Sequence, residues 1–164
     1  MRLLDIVQGK LVIPQMRART KWDAIDELVD RLVEEHEIRI FDQPDVLEAV
    51  LVRERSLSTG LQDHVALPHA RMQVVDDLIG VLGIAPDGIP FESIDGKDAV
   101  LIALLIVPEY AYREHIHTLT MISALLSRPD FRSQLVAAGR TGSAQQVIEI
   151  IERTEGREFL QDIE

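Results

Sequence analysis

The chain contains no cysteine, few aromatic residues and an excess of negative over positive charge. Without cysteine it has neither disulfides nor a thiol nucleophile. Its 17 lysine and arginine residues stand against 28 aspartate and glutamate residues, a net charge of -11. A nucleic-acid-binding protein needs a cationic surface, so we expect no nucleic-acid partner and a better fit to basic proteins.

Long hydrophobic runs are also absent. The longest apolar stretch, residues 99–107, is too short to span a bilayer, and the N-terminus lacks the apolar run of a signal peptide. With 46% hydrophobic and 27% charged residues over 164 positions, the composition is typical of a globular protein. We therefore expect a single domain over residues 1–164, cytoplasmic and without membrane insertion.

Two helices are predicted in the first third of the chain. Thr20 followed by Asp23 is an N-terminal capping pattern. Apolar residues then recur at helical spacing: Trp22, Ile25, Leu28, Val29, Leu32 and Val33. We expect Trp22 to lie in the core rather than to form a ligand platform. A second helix over residues 44–54 should deliver Arg53 to the loop that follows it.

Strand patterns alternate with further helices in the rest of the chain. Strands are predicted at residues 10–13, 65–67, 78–85 and 99–107, with Asp87-Gly88 and Asp95-Gly96 as turns between the last two. The final run is apolar without alternation, which is typical of a central strand covered on both faces. Helices are predicted at residues 112–126, 129–139 and 143–153. The pattern indicates an α/β fold with helices on both sides of a sheet.

His69 is the strongest candidate for a reactive residue. It follows Pro68, whose ring restricts the backbone, so the imidazole should occupy a defined position where a strand meets a loop. The small Ala70 after it leaves room for a bulky donor group to approach the ring. An unperturbed histidine with a pKa near 6.5 is largely a free nucleophile at neutral pH.

The residues that precede His69 suit an anionic group. Arg53 offers a planar cationic fork for phosphoryl oxygens. Ser58, Thr59 and Gly60 offer hydroxyl and free backbone N–H groups that could complete an anion cradle. Phosphoryl transfer needs mainly positioning and charge stabilisation, and this set of residues can supply both.

Other chemistries have weaker support. Asp63, His64, His69 and His115 have side chains of the types that bind zinc, but no HExxH or comparable helical ligand pair anchors them. A glycine-rich phosphate loop and a Gly-x-Ser-x-Gly motif are both missing. We therefore expect no metal, nucleotide or other cofactor. His36, between two glutamates at the end of an acidic helix, is interpreted as a solvated helix end.

The block that runs from Arg53-Glu54 through Ser58-Thr59-Gly60 to Val65-Ala66-Leu67-Pro68-His69 resembles a known active-site signature. It is that of the fructose/mannitol-type (type 2) enzyme IIA family of the bacterial phosphotransferase system, including its nitrogen-regulatory branch. The order of the predicted elements extends the resemblance over nearly the whole chain. It implies an α/β fold with a mixed central β-sheet flanked by helices on both faces.

The resemblance also implies a function. His69 would accept a phosphoryl group on Nε2 from phosphorylated HPr, or from an HPr-like protein of the nitrogen branch, and pass it to an enzyme IIB or act on a regulated target. Arg53 and His115, the latter in the first turn of the predicted helix over residues 112–126, would hold the phosphoryl oxygens. His117 lies about 200° further around that helix and is interpreted as a structural or surface residue. Both sugar transport and regulation stay open, and the alternative is a regulatory binding module that is not phosphorylated.

The chain departs from the family pattern just before His69. The family usually has glycine where His64 stands and often another where Gln62 stands. Glycines there would let the backbone approach a phosphoryl group closely. We expect either a stiffer, reshaped loop or a supporting side-chain contact from His64.

Overall fold

The computed structural model describes residues 1–163. Within them, the helices are α1 (Leu3–Val7), α2 (Lys21–Glu34), α3 (Gln43–Ser56), α4 (Tyr112–Leu126), α5 (Pro129–Thr141) and α6 (Ala144–Gln161). The strands are β1 (Val12–Ile13), β2 (Val65–Ala66), β3 (His69–Met72), β4 (Ile79–Ile89) and β5 (Ala99–Pro108). Two short 3₁₀ turns, Ile40–Asp42 and Glu109–Ala111, precede α3 and α4.

The five strands form one mixed sheet in the order β1-β4-β5-β2, with β3 also paired to β5. Strands β4 and β5 are antiparallel, while β1 runs parallel to β4, and both β2 and β3 run parallel to β5. Residues 101–108 of β5 are all buried, as expected for the unbroken apolar run. The predicted mixed sheet and its apolar central strand are confirmed.

Helices cover both faces of the sheet, and two glycines of β4 show where. Gly80 and Gly83 point to opposite faces because they are an odd number of residues apart. A Cβ on Gly80 would lie 2.9 Å from Ile6 Cγ2 of α1, and one on Gly83 would lie 3.1 Å from Leu28 Cδ2 of α2. The prediction of helices on both faces is therefore confirmed.

The predicted turn at Asp87-Gly88 is wrong. Strand β4 continues through these residues to Ile89, and its pairing with β5 shifts register between Ile84 and Ile89. Gly88 has φ +82°, so a β-bulge with a glycine in the left-handed region takes the place of a turn. Asp95-Gly96 does form a turn, in which the Gly96 N–H donates to the Ser93 carbonyl at 3.0 Å.

Trp22 lies at the surface, contrary to the prediction of a core residue. Its side chain is 40% exposed, whereas the other residues of its stripe from Ile25 to Leu32 are fully buried. The preceding Lys21 takes the inward position, with only 6% exposure. Its ammonium pairs with the carboxylate of Glu54 and lies 4.8 Å from the centroid of the Trp22 ring. The indole therefore covers a buried cation instead of filling the core.

The two terminal helices differ from the prediction. Helix α1 was not expected, and it depends on a contact from the other end of the chain, because the backbone N–H groups of Leu3 and Leu4 donate to Glu155 at 2.9 and 2.8 Å. Helix α6 continues to Gln161, beyond its predicted end at residue 153.

Within residues 1–163, no helix combines the length and apolar character that a membrane span requires.

Gly139 on α5 provides a test of this packing. A Cβ there would lie 2.5 Å from the Pro14 carbonyl oxygen and 2.7 Å from Ile84 Cγ2, whereas one on Gly156 of α6 would meet nothing within 4 Å. We expect Gly139→Ala to destabilise the protein by about 1–3 kcal/mol through overpacking. Gly156→Ala should stabilise it by about 0.5–1 kcal/mol through helix propensity. Urea denaturation of both variants measures this, and equal effects would contradict the close approach of α5 to the sheet.

Candidate functional site

His69 is the first residue of β3, not a residue at the start of a loop. Strand β2 ends at Ala66, and after Leu67 and Pro68 the chain returns to β5, where His69 pairs with Leu105. The Leu105 N–H donates to the Pro68 carbonyl at 3.0 Å, which holds the interruption against the central strand. The position directly after the proline is therefore fixed by backbone pairing on both sides of it.

The tautomer of His69 follows from one hydrogen bond. Its Nδ1 lies 2.9 Å from the Leu67 carbonyl oxygen, and because a carbonyl can only accept, Nδ1 must carry the proton. In the neutral ring the lone pair is then on Nε2. The half-buried imidazole is thus oriented with Nε2 as its nucleophilic atom.

Burial is the main influence on the protonation of His69. Loss of solvent lowers its pKa from the usual value, and the positive charges of Arg53 and Arg71 lower it further. The hydrogen bond to Leu67 and the negative charge of Glu54 act in the opposite direction, but the net pKa stays lowered. The ring is therefore held in its neutral, nucleophilic form near pH 7.

Arg53 is brought to the site by the C-terminal turn of α3. Its Nη1 donates to the Leu57 carbonyl at 2.7 Å, which fixes the guanidinium at the end of the helix. A guanidinium has five N–H donors, and this contact uses one of them. Arg53 is close enough to influence the His69 pKa, so the structure brings together two of the predicted site residues.

Ser58 and Thr59 lie in the loop before His69, where their hydroxyl groups have protein partners. The Ser58 hydroxyl donates to the Phe91 carbonyl and accepts from the Gly60 N–H at 3.1 Å. The Thr59 hydroxyl donates to Glu54 at 2.6 Å, and its backbone N–H donates to the same carboxylate at 3.1 Å. Both residues therefore shape the loop, and direct contact with a phosphoryl group stays a prediction.

Gly60 is required by a close approach between two segments. A Cβ there would lie 2.6 Å from Ser93 Oγ and 2.9 Å from the Phe91 carbonyl oxygen. The Gly60 carbonyl accepts from the Ile94 N–H at 3.3 Å. Only a residue without a side chain lets the loop pack this closely on the segment between β4 and β5.

His64 keeps the backbone conformation that a glycine would favour. Both Asp63 and His64 are in the left-handed region, with φ of 59° and 64°. Non-glycine residues pay about 1–2 kcal/mol for this conformation. The His64 Nδ1 donates to the Asp98 carbonyl at 2.9 Å, and its side chain lines a cavity of about 420 Å³ against α5. The described residues lining that cavity do not include His69, so the two histidines do not share it.

His115 lies in the first turns of α4, half-buried, and within residues 1–163 its ring makes no hydrogen bond or ion pair. Helix α4 begins beside β3, because the Arg71 guanidinium lies 4.4 Å from the centroid of the Tyr112 ring. His115 is one turn along α4 from that contact, and His69 is two residues back along β3. Their meeting in one pocket stays a prediction. His117 and His36 are exposed.

Arg71 is a candidate site residue that the sequence analysis missed. It points to the same side of β3 as His69, because alternate residues of a strand share a face, and its charge lowers the His69 pKa. The pattern His-x-Arg would have indicated this, but β3 itself was not recognised. The zinc alternative gains no support, since no three potential metal ligands cluster within the described part of the chain.

Comparison with known proteins shows the class to which this chain belongs, that of a component of the phosphotransferase system. Residues 5–154 match the family model described as "Phosphoenolpyruvate-dependent sugar phosphotransferase system, EIIA 2", and the chain belongs to that family.

Relatives named as sugar-specific components and relatives named as nitrogen regulatory proteins have similar sequence identity to this chain. The chain is 30% identical over 151 residues to the fructose-specific EIIABC component of Bacillus subtilis (strain 168), which covers 92% of this chain but only 23% of that protein. It is 29% identical over 138 residues to the nitrogen regulatory protein of Bradyrhizobium diazoefficiens, covering 84% of this chain and 88% of that one.

Solved structures share the fold. The nitrogen regulatory protein IIA-Ntr of Neisseria meningitidis superimposes with a TM-score of 0.73 at 29% identity, covering 88% of this chain and 99% of that one. The IIA mannitol protein of Escherichia coli, in its complex with phosphorylated enzyme IIB, gives a TM-score of 0.69 at 23% identity, covering 87% and 94%. The latter likeness concerns the fold alone.

The charges around His69 predict its titration. We expect a midpoint below about 6.5 in a ¹³C- or ¹⁵N-detected NMR titration, because burial, Arg53 and Arg71 lower the pKa. Arg71→Gln should raise the midpoint, whereas Arg140→Gln, which removes an equal charge beside Asp87, should not. Because folding lowers this pKa, the stability gained from the neutral ring is present above pH 6.5 and lost as the pH falls through the folded value. An unchanged midpoint in Arg71→Gln would contradict the assignment of Arg71 to the site.

Proposed function

We propose that the protein is a phosphocarrier that accepts a phosphoryl group on Nε2 of His69 from phosphorylated HPr or an HPr-like protein. The observation that carries the proposal is the hydrogen bond from His69 Nδ1 to the Leu67 carbonyl, which leaves Nε2 with its lone pair. The lowered pKa keeps that nitrogen unprotonated near pH 7. Membership of the EIIA type 2 family supplies the reaction class.

The transfer itself needs little covalent chemistry from the protein. Nε2 attacks phosphorus in line, and the new N–P bond forms as the bond between phosphorus and the donor breaks, with its electron pair returning to the donor. Charge on the transferred oxygens is met by the guanidinium groups of Arg53 and Arg71 and by His115. No metal or nucleotide takes part in this scheme.

The downstream partner is an enzyme IIB or a regulated protein. A IIA mannitol protein with this fold forms a complex with phosphorylated enzyme IIB, which supports the first route. The nitrogen regulatory relatives support the second. Identities of 30% and 29% to the two kinds of relative support the two routes about equally. The net charge of -11 favours partners with basic docking surfaces, since opposite potentials speed encounter.

A second candidate function is a regulatory binding module that is not phosphorylated. It is motivated by Gln62 and His64 in place of the family's glycines and by the commitment of the Ser58 and Thr59 hydroxyls to protein acceptors. Incubation of the wild-type protein with phosphoenolpyruvate, enzyme I and HPr separates the candidates. A gain of one acid-labile phosphate in the mass spectrum supports the carrier, and complete resistance supports the binding module.

His69→Ala should abolish phosphorylation, because it removes the only nitrogen that the proposal assigns as acceptor. The measurement is the extent of labelling by phospho-HPr. His117→Ala is the matched control, since His117 is exposed on α4. This variant should be phosphorylated to the same extent as the wild-type protein. Labelling of His69→Ala at the wild-type rate would show that the acceptor is another residue.

Arg53→Ala and His115→Ala should each slow phosphorylation while leaving the phosphate on His69. Loss of one electrostatic contact to a transferring group typically reduces the rate on the order of 100-fold. Single-turnover transfer from phospho-HPr measures the rate, and peptide mapping under alkaline conditions locates the phosphate. Wild-type rates in both variants would remove these residues from the mechanism.

A further inference from the structure

A buried ion pair lies beneath the loop that precedes His69. Lys21, the first residue of α2, is 6% exposed, and Glu54, in the last turn of α3, is 2% exposed. The Lys21 ammonium lies 3.4 Å from Glu54 Oε1 and 3.2 Å from Oε1 of Glu92, whose side chain is exposed. The two contacts of Lys21 therefore connect the beginning of α2 with the end of α3 and with the segment between β4 and β5.

The carboxylate of Glu54 holds the loop at one residue. It accepts three short contacts from Thr59: the hydroxyl at 2.6 Å and the backbone N–H at 3.1 and 3.3 Å to its two oxygens. Hydrogen bonds to an ionised acceptor are stronger than neutral ones. Thr59 in turn accepts at its carbonyl from the Leu67 N–H at 3.1 Å. Because the Leu67 carbonyl accepts from His69 Nδ1, a chain of contacts leads from Glu54 to the reactive ring.

A buried ion pair is by itself weak evidence for a stabilising role. Removing two charges from water is unfavourable, and apolar residues of similar volume often serve a fold as well or better. Loss of one partner is a different matter, since it leaves a buried charge uncompensated. Glu54 also acts directly on His69, because its negative charge opposes the effect of the neighbouring arginines on the ring.

We propose that Glu54 and Lys21 are positioning residues for phosphoryl transfer: Glu54 fixes the loop and the His69 ring through Thr59, and Lys21 holds the Glu54 side chain in place as its buried partner. The proposal rests on the function proposed above for His69. Neither residue contacts the transferred group in this scheme. Thr59 is thereby assigned to the support of the loop and not to the anion.

Three variants separate positioning from folding. Glu54→Gln retains an acceptor for Thr59 but leaves Lys21 without its buried counter-ion, so its melting temperature should fall by on the order of 10 °C. Lys21→Met should do the same by leaving Glu54 unpaired. The double variant Lys21→Met/Glu54→Gln contains neither uncompensated charge and should regain most of the lost stability.

The transfer rate is expected not to follow stability. Glu54→Gln and the double variant should both be phosphorylated by phospho-HPr about tenfold or more slowly than wild type, since small misplacements of reacting groups can reduce rates by up to about 100-fold. In both, the NMR titration midpoint of His69 should move further down, because the negative charge that raises its pKa is gone. Glu48→Gln, which removes an exposed charge from the same helix, should leave rate and midpoint unchanged.

A stable double variant with the wild-type rate and His69 midpoint would overturn the proposal and reduce the pair to a structural contact. Failure of wild-type protein to become phosphorylated would refute the proposed function instead. The His69 midpoint needs no phosphoryl donor, so an unchanged midpoint in Glu54→Gln counts against the proposed coupling even then.

Discussion

The parallel pairing of β3 with the central strand β5 is the interaction on which the site depends. Strand β5 is buried between helices on both faces, so its register with β3 is not free to slip. Pairing of His69 with Leu105 fixes the height of the ring above the sheet. The proline before it forms an interruption at which the Leu67 carbonyl turns to the ring of His69 and selects its tautomer.

Around this fixed ring, the loop over residues 57–64 is held by contacts that leave few of its polar groups free. Glu54 holds Thr59, Phe91 holds Ser58, and Gly60 packs against Ser93. Asp63 and His64 adopt left-handed backbone conformations. These contacts hold the loop in a tight turn, with left-handed backbone conformations that glycines would adopt more easily.

Charge at the site has the opposite sign from the charge of the chain. A molecule of net charge -11 places Arg53 and Arg71 beside one histidine, with Glu54 as the balancing anion below the loop. The same charges that would attract phosphoryl oxygens also disfavour protonation of the imidazole. The pKa of the candidate nucleophile and the attraction of an anion beside it therefore depend on the same charges, which suits the proposed phosphocarrier.

The sequence by itself determined the elements whose signals are local. Thr20 caps α2 by accepting from the Asp23 N–H at 3.2 Å, the unbroken apolar run forms β5, and Pro68-His69 marks the position of the proposed acceptor. These features depend on neighbours within a few residues, so periodicity and capping chemistry are sufficient to predict them.

Only the tertiary structure decided the rest. Lys21 rather than Trp22 turns inward because its ammonium pairs with Glu54 of α3. Helix α1 forms against Glu155 from the far end of the chain. Strand β3 exists because β5 pairs with it, and Arg71 joins the site only through that strand. Each of these outcomes depends on a group distant in sequence, and a local pattern contains no information about which distant group will be near.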